Sequence, residues 1–387
     1  MLNPYGQTLV SANKSIVNMN LAIISPGYDT SSETFIQAHK RIPGVTVFFY
    51  YGGMVPKFLE GHGPVDFKTI RAIMNRTSQH RDKRTNLSLP EEALMKSFKQ
   101  HRIDCVLAEY GTTAVSVLNV CRTLKLPLIA HFHGFDASVH LVVEKNLKAY
   151  QKLFDYASSI IAVSRAMEKK LLDLGCPASK LLYTACAPDD AFLDVKPTYR
   201  KKQFVGIGRF VDKKAPYYTL LAFQSALSAH PDAQLIIGGE GPLLNTCNNL
   251  VKHLKLEKNV VLPGFITPGQ YREHLAESRA YVQHSITAEN GDMEGTPVGI
   301  LEASAAGLPV ISTFHAGIPD VITHGNTGLL CEEHDVGQMA AHMVQLINNK
   351  QLAIALGAAG KENIRNNYSM DRHLGVLAEA VQKALND

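Results

Sequence analysis

The sequence predicts an α/β protein built as two doubly wound parallel sheets that face each other across a cleft. Short β-branched runs alternate with longer helical stretches along the whole chain. The 387 residues exceed what a single hydrophobic core usually serves, so two domains are expected. Between them Lys196, Pro197, Arg200, Lys201 and Lys202 form a polar linker.

The elements follow in order. In the first half, residues 21–25, 45–51, 105–108, 127–131 and 160–163 read as strands. In the second half the strands fall at 204–207, 234–237, 260–262, 280–283, 309–312 and 328–330, with helical patterns such as 217–229 and 338–348 between them. The boundaries are 1–195 for the first domain and 196–369 for the second, with a terminal helix over about 370–387 packing back onto the first. In such a pair of sheets, ligands bind where the strand C-termini of both halves meet.

Composition narrows the class. Hydrophobic residues make up 45% and charged residues 19%, ordinary values for a globular protein. No apolar run approaches the ~20 residues that span a bilayer. The first twenty residues, with Asn13, Lys14 and Asn18, lack the apolar core of a secretory signal. Six cysteines at 105, 121, 176, 186, 247 and 331 form no CxxC pair, so reduced thiols and a cytoplasmic address are expected. The net charge is +4, and residues 57–102 hold ten Lys/Arg against five Asp/Glu, including Arg71, Arg76, Arg81, Lys83 and Arg84. That segment is either a solvated face or a peripheral contact with an anionic membrane. Nucleic acid is not expected, since no aromatics interleave with these charges.

Most informative is Glu294-Gly-Thr-Pro-Val-Gly-Ile-Leu-Glu302, followed by Ala-Ser-Ala-Ala-Gly307-Leu-Pro309-Val. Pro297 suits a first helical position, and Gly307 and Pro309 stop the helix. Glu294 then precedes the helix, Glu302 stands about two turns inside, and the free N–H groups of Gly295, Thr296 and Val298 can meet an anion. Hydroxyls for the carboxylates and phosphates for the amides together describe a sugar nucleotide.

Other motifs fall at strand ends. Gly206-Ile-Gly208-Arg209-Phe-Val-Asp-Lys-Lys214 gives a glycine turn with Arg209 and Lys214 five apart, suited to phosphate. A dinucleotide fingerprint fails at Val211. Gly238-Gly239-Glu240-Gly241-Pro242 and Gly264-Phe265-Ile266 close further strands. Phe265 and Ile266 form either the floor or a backbone edge for a planar base, or core. In the first half, His131-Phe-His133-Gly134-Phe135-Asp136 follows an apolar strand, and alternation puts both histidines on one side, where either one contacts a ligand hydroxyl or one is merely packed. A metal is not expected there, because no nearby carboxylate or cysteine completes a ligand set. Gly27, Ser31 and Ser32 lie in the loop after the first strand, suited to capping or to close substrate approach.

Taken together, these motifs resemble the retaining, nucleotide-sugar-dependent glycosyltransferases of family 4, which have the GT-B fold. The resemblance runs from Ser25 to about Asp335. It is most specific in Glu294-x7-Glu302, Ala316-Gly317-Ile318-Pro319-Asp320 and Gly325-Asn-Thr-Gly328. Ser32-Glu33-Thr34-Phe35, His131-Phe-His133-Gly134 and Gly291-Asp292-Met293-Glu294 look like a bacterial surface-polysaccharide branch. The first glycine loop departs from the family's usual Gly-Gly.

The resemblance implies an acceptor-side first domain, with Gly27, Ser31, Ser32, His131 and Asp136 on that side, and a donor-binding second domain. Arg209 and Lys214, beside Gly208 and Gly239, would neutralise the donor diphosphate. Glu302 would hold the ribose, Glu294 the donor sugar, and His133 would meet that sugar from across the cleft. No metal or other cofactor is implied. A hexose would pass from UDP-hexose, or GDP-mannose as the second choice, to a saccharide or lipid-linked saccharide. The alternatives are a non-catalytic nucleotide-sugar-binding protein, or an epimerase or phosphorylase on the same fold.

Overall fold

A computed structural model describes residues 19–28, 34–65 and 87–386. Ser31, Ser32, Arg71, Arg76, Arg81, Lys83 and Arg84 lie outside the described residues. In the first domain the strands are β1 (Met19–Ile24), β2 (Val45–Tyr51), β3 (Phe58–Leu59), β4 (Gly63–Pro64), β5 (Cys105–Glu109), β6 (Leu128–Phe132), β7 (Ser159–Ala162) and β8 (Leu181–Tyr183). They form one sheet in the order β4-β3-β2-β1-β5-β6-β7-β8, parallel except at the short β3 and β4 edge. The second domain contains β9 (Gln203–Ile207), β10 (Gln234–Gly238), β11 (Val260–Gly264), β12 (Ala280–Val282), β13 (Val310–Thr313) and β14 (Gly328–Cys331). Their order, β11-β10-β9-β12-β13-β14, is all parallel and reverses direction between β9 and β12.

Strand alternation places the first sheet between two apolar layers. Ala22 and Ile24 face one layer, beneath Leu94, Phe98 and Val117. Leu21 and Ile23 face the other, where Leu374, Leu377 and Val381 cover them. Those three residues belong to the terminal helix Met370–Asn386, so the chain returns to its first domain after completing the second. Three two- or three-residue strands, β3, β4 and β8, are absent from the sequence expectation because so few residues show no alternation. Among the described residues all six cysteines are free and buried, and no helix is long and apolar enough to cross a membrane.

Candidate active site

The loops after β9 and β12, neighbours at the reversal of strand order, bring the charged groups together. Gly208 has φ +153°, and a Cβ there would lie 2.7 Å from Lys214 Cδ, so glycine alone lets the lysine stem lie along the turn. Arg209 is exposed, whereas Lys214 Nζ lies 2.8 Å from Glu294 Oε1. Lys214 is therefore not a free cation at the mouth of the cleft. Gly239 has φ +138° and presses directly on the Gly208 backbone.

Glu294 is buried, which raises its carboxyl, but Lys214 and then Lys213 outweigh burial and hold it below its ordinary range. Its backbone N–H donates to His315 Nε2 at 3.1 Å. That nitrogen must be unprotonated, so His315 Nδ1–H donates to Glu333 Oε1 at 2.6 Å. Asp292 pairs with Lys213 at 3.0 Å. Each carboxylate of Asp292-Met-Glu294 thus already faces its own lysine. Lys213, His315 and Glu333 were missed in the sequence, where nothing ties them to Glu294.

The helix Val298–Ala306 starts one residue later than expected, with Pro297 as its N-cap, and ends at Gly307 with φ +87°. Glu302 consequently stands about one turn inside, not two. It is partly accessible, and burial, followed by the Asp189 carboxylate, raises its carboxyl to about 8. From an ordinary value of 4.5, the folded chain retains a proton that the unfolded chain releases. The resulting stabilisation is complete below pH 4.5 and is lost as pH rises to about 8. Urea midpoints of wild type and Glu302→Gln, compared across that window, should shift against wild type as pH rises. A constant difference would show an ordinary carboxyl.

Three expectations need correction. His131 is fully buried, so its side chain does not face an acceptor. Asp136 is buried too and anchors the loop backbone, its Oδ1 accepting from His133 N and Gly134 N at 3.1 and 2.9 Å and its Oδ2 from Gly111 N at 2.8 Å. Ile266 is core, its side chain filling the space that a Cβ on Gly238 would need, while Phe265 is exposed. Gly27 is partly exposed in the loop after β1.

A fourth correction concerns the histidines, because a carboxylate does stand beside them. His133 Nε2–H donates to Glu109 Oε2 at 2.7 Å and His39 Nδ1–H to Glu109 Oε1 at 2.6 Å, with His131 Nδ1 3.4 Å from Oε2. His39, Glu109 and His131 thus form a buried group of metal-ligating type. Burial opposes charge on His133, but Cys186 and Glu109 outweigh it and raise its pKa to about 10. Burial, then His133, lowers His131 to about 3. The His133 ring is nearly enclosed, its side chain 5% exposed.

The two domains meet around this site. Thr296 Oγ1 donates to Val163 O, His140 N to Asn290 O at 2.9 Å, and Met293 N to Ser138 Oγ at 3.3 Å. Asp320 Oδ2 accepts from Arg165 N at 2.8 Å, placing the Gly-Ile-Pro-Asp motif across the domain boundary. At Gly295 a Cβ would lie 2.7 Å from Val163 Cγ2, so closure needs glycine there. A cavity between the domains is bordered by Gly134, Met293, Glu294 and Ala316. Another in the second domain is bordered by Gly208, Arg209, Lys214 and Gln283.

Comparison with known proteins places this geometry in context. The family described as Glycosyltransferase Family 4 matches residues 43–186, and Glycosyl transferases group 1 matches residues 193–363. The chain is similar to the amylovoran biosynthesis glycosyltransferase AmsK of Erwinia amylovora, 28% identical over 291 residues, covering 74% of this chain and 71% of that protein. It is also similar to the GDP-mannose-dependent alpha-(1-6)-phosphatidylinositol monomannoside mannosyltransferase of Mycobacterium tuberculosis (strain ATCC 25618 / H37Rv). That relative is 29% identical over 264 residues, covering 65% of this chain and 68% of its own. Among solved structures, Anabaena Alr3699/HepE in complex with UDP and glucose superposes with a TM-score of 0.76 at 16% identity, covering 94% of this chain and all of that one. That likeness establishes the two-domain GT-B fold.

Proposed function

We propose that this chain, which belongs to the family 4 glycosyltransferases, moves a hexose from a nucleotide sugar to a saccharide or lipid-linked saccharide in surface-polysaccharide synthesis, keeping the anomeric configuration. The observation that carries the reading is Lys214 Nζ, on the glycine turn after β9, lying 2.8 Å from Glu294 at the start of the Val298–Ala306 helix. One ammonium there serves both ends of a donor. It faces the diphosphate with Arg209 on one side and steadies the carboxylate that receives the sugar hydroxyls on the other. Glu302, farther along the same helix, takes the ribose.

Bond cleavage at the anomeric carbon leaves its electron pair on the departing diphosphate, which accepts the proton of the incoming acceptor hydroxyl as the new glycosidic bond forms. Arg209, Lys214 and the helix start stabilise that leaving charge. UDP-hexose is the favoured donor and GDP-mannose the second. The HepE complex with UDP and glucose supports the first, and the GDP-mannose-dependent relative supports the second. The reading places the enzyme in the cytoplasm, with basic residues of 57–102 as its route to an anionic membrane surface.

Thermal-shift screening over nucleotide sugars tests the reading. A ligand at ~100 times its dissociation constant adds about 2.7 kcal/mol of stability. The stabilising donor should then be consumed with release of its nucleoside diphosphate when an acceptor is present. Stabilisation by none of them would reject the reading. The same lysine-paired carboxylates lead us to propose that no metal is required. Saturating chelator should leave the initial rate within about twofold; loss that magnesium or manganese restores would contradict this.

A further inference from the structure

Behind His133 runs a line of buried polar side chains that the donor site does not use. Glu109 ends β5 and accepts from His133 at 2.7 Å and from His39 at 2.6 Å. His39 Nε2 lies 2.9 Å from His373 Nε2, one proton bridging the two, and His373 Nδ1 lies 3.0 Å from Thr184 Oγ1. Every member is buried except His133, a half-buried residue whose ring is nearly enclosed and whose neighbour Gly134 borders the cavity between the domains. Aromatic rings fix the cleft end: Phe35 and Tyr110 each have their centroid 4.8 Å from the His133 ring. Tyr110 does so with φ +74°, a conformation that a bulky residue adopts only when its surroundings impose it.

We propose that Glu109 is a positioning residue for His133, and that His39 and His373 hold Glu109 in turn, so that the terminal helix helps to set the donor-facing wall of the first domain. The chemistry requires such a relay. A carboxylate enclosed by protein is costly unless its oxygens are occupied, and here His39 and His133 each occupy one. If either partner turns away, Glu109 is left under-satisfied, so the imidazoles are held in single orientations. His373 comes from a helix that follows the whole donor domain in sequence, which makes the site depend on how that helix is docked. The same group does not suit a bridging cation in this arrangement. His39 Nδ1 and Glu109 Oε1, 2.6 Å apart, are in direct hydrogen bond, whereas two ligands of one zinc at ~2.0 Å each sit farther apart than that.

The role of His133 at the donor rests on the function proposed above, but its coupling to Glu109 does not, so the test separates the two. Imidazole NMR of the full-length chain, with His133 assigned from His133→Ala, reads the relay directly. The groups facing His133 are Glu109 of β5, Tyr110 just after it, His131 of β6, Asp136 in the loop that follows and Cys186 after β8. With Glu109 in place, His133 should stay protonated through pH 8, and in Glu109→Gln it should lose its proton below pH 8. Unchanged His133 titration in Glu109→Gln overturns the relay, as does stoichiometric zinc in the purified protein bound through Glu109 and His39. If Glu109→Gln does not fold, His373→Asn at the far end must shift the same resonance, and no shift overturns the proposal.

Transfer kinetics then read the consequence. Glu109→Gln should lower kcat on the order of tenfold with donor KM little changed, and should add almost nothing in a His133→Ala background. Equal losses in both backgrounds would mean that Glu109 does not act through His133. Intact transfer by His133→Ala alongside a shifted resonance would instead reject the donor role of His133 and leave the relay standing.

Discussion

Arg209→Ala and Lys214→Ala should each reduce turnover on the order of 100-fold, because each deprives the departing diphosphate of a preorganised cation. Their effects on stability should differ. Arg209 is exposed, so its removal should leave the melting temperature unchanged. Removing Lys214 strands Glu294, whose remaining side-chain donor, Gln283 Nε2, is 3.4 Å away. Breaking a fully buried pair costs about 3–5 kcal/mol. Lys214 keeps 17% of its side chain exposed, so a loss on the order of 2 kcal/mol is expected. Denaturant midpoints and steady-state rates on the same preparations check both halves. Near-full transfer by both variants would place the phosphate site elsewhere.

Glu294 and Glu302 should fail in different ways, although one short motif carries both. Glu302→Ala removes a grip on the ribose that is equal in ground and transition states, so donor KM should rise by roughly tenfold with kcat nearly unchanged. Glu294 lies where positive charge develops on the reacting sugar, and its carboxylate is kept ionised by Lys214. Glu294→Gln should therefore lower kcat on the order of 100-fold with a smaller change in KM. Varied-donor kinetics decide between the two. Equal kcat losses with unchanged KM in both variants would mean that the ribose and sugar ends of the motif are reversed.

Much of this arrangement is legible in the sequence because it is local. The run Val45–Tyr51 is a strand over its whole predicted length, and Gly307 ends its helix through a left-handed conformation, as a glycine after an apolar helical run should. Lys214 and Glu294 meet because strand ends and helix starts converge at a strand-order reversal, a property of the fold class rather than of any one residue.

What was illegible depends on distance along the chain. Glu109 reads as the polar end of an apolar strand, its partners His39 and His133 are 70 and 24 positions away, and His373, which meets His39, is 334 positions from it. No local pattern joins them. Asp136 resembles a ligand-facing carboxylate until three backbone amides are seen to claim it. Ile266 is core because Gly238 leaves it room, which a strand end and a separate loop cannot reveal in sequence. The lysine partners of Asp292 and Glu294 likewise come from a turn about 80 residues earlier.

Titration calorimetry of UDP and GDP into wild type and into Arg209→Ala bears most directly on the proposed donor site. One nucleoside diphosphate should bind per wild-type chain, and Arg209→Ala should weaken it at least about tenfold, or 1.4 kcal/mol. Binding of neither nucleotide to wild type, or equal affinity in the variant, would contradict a donor diphosphate held at the glycine turn after β9.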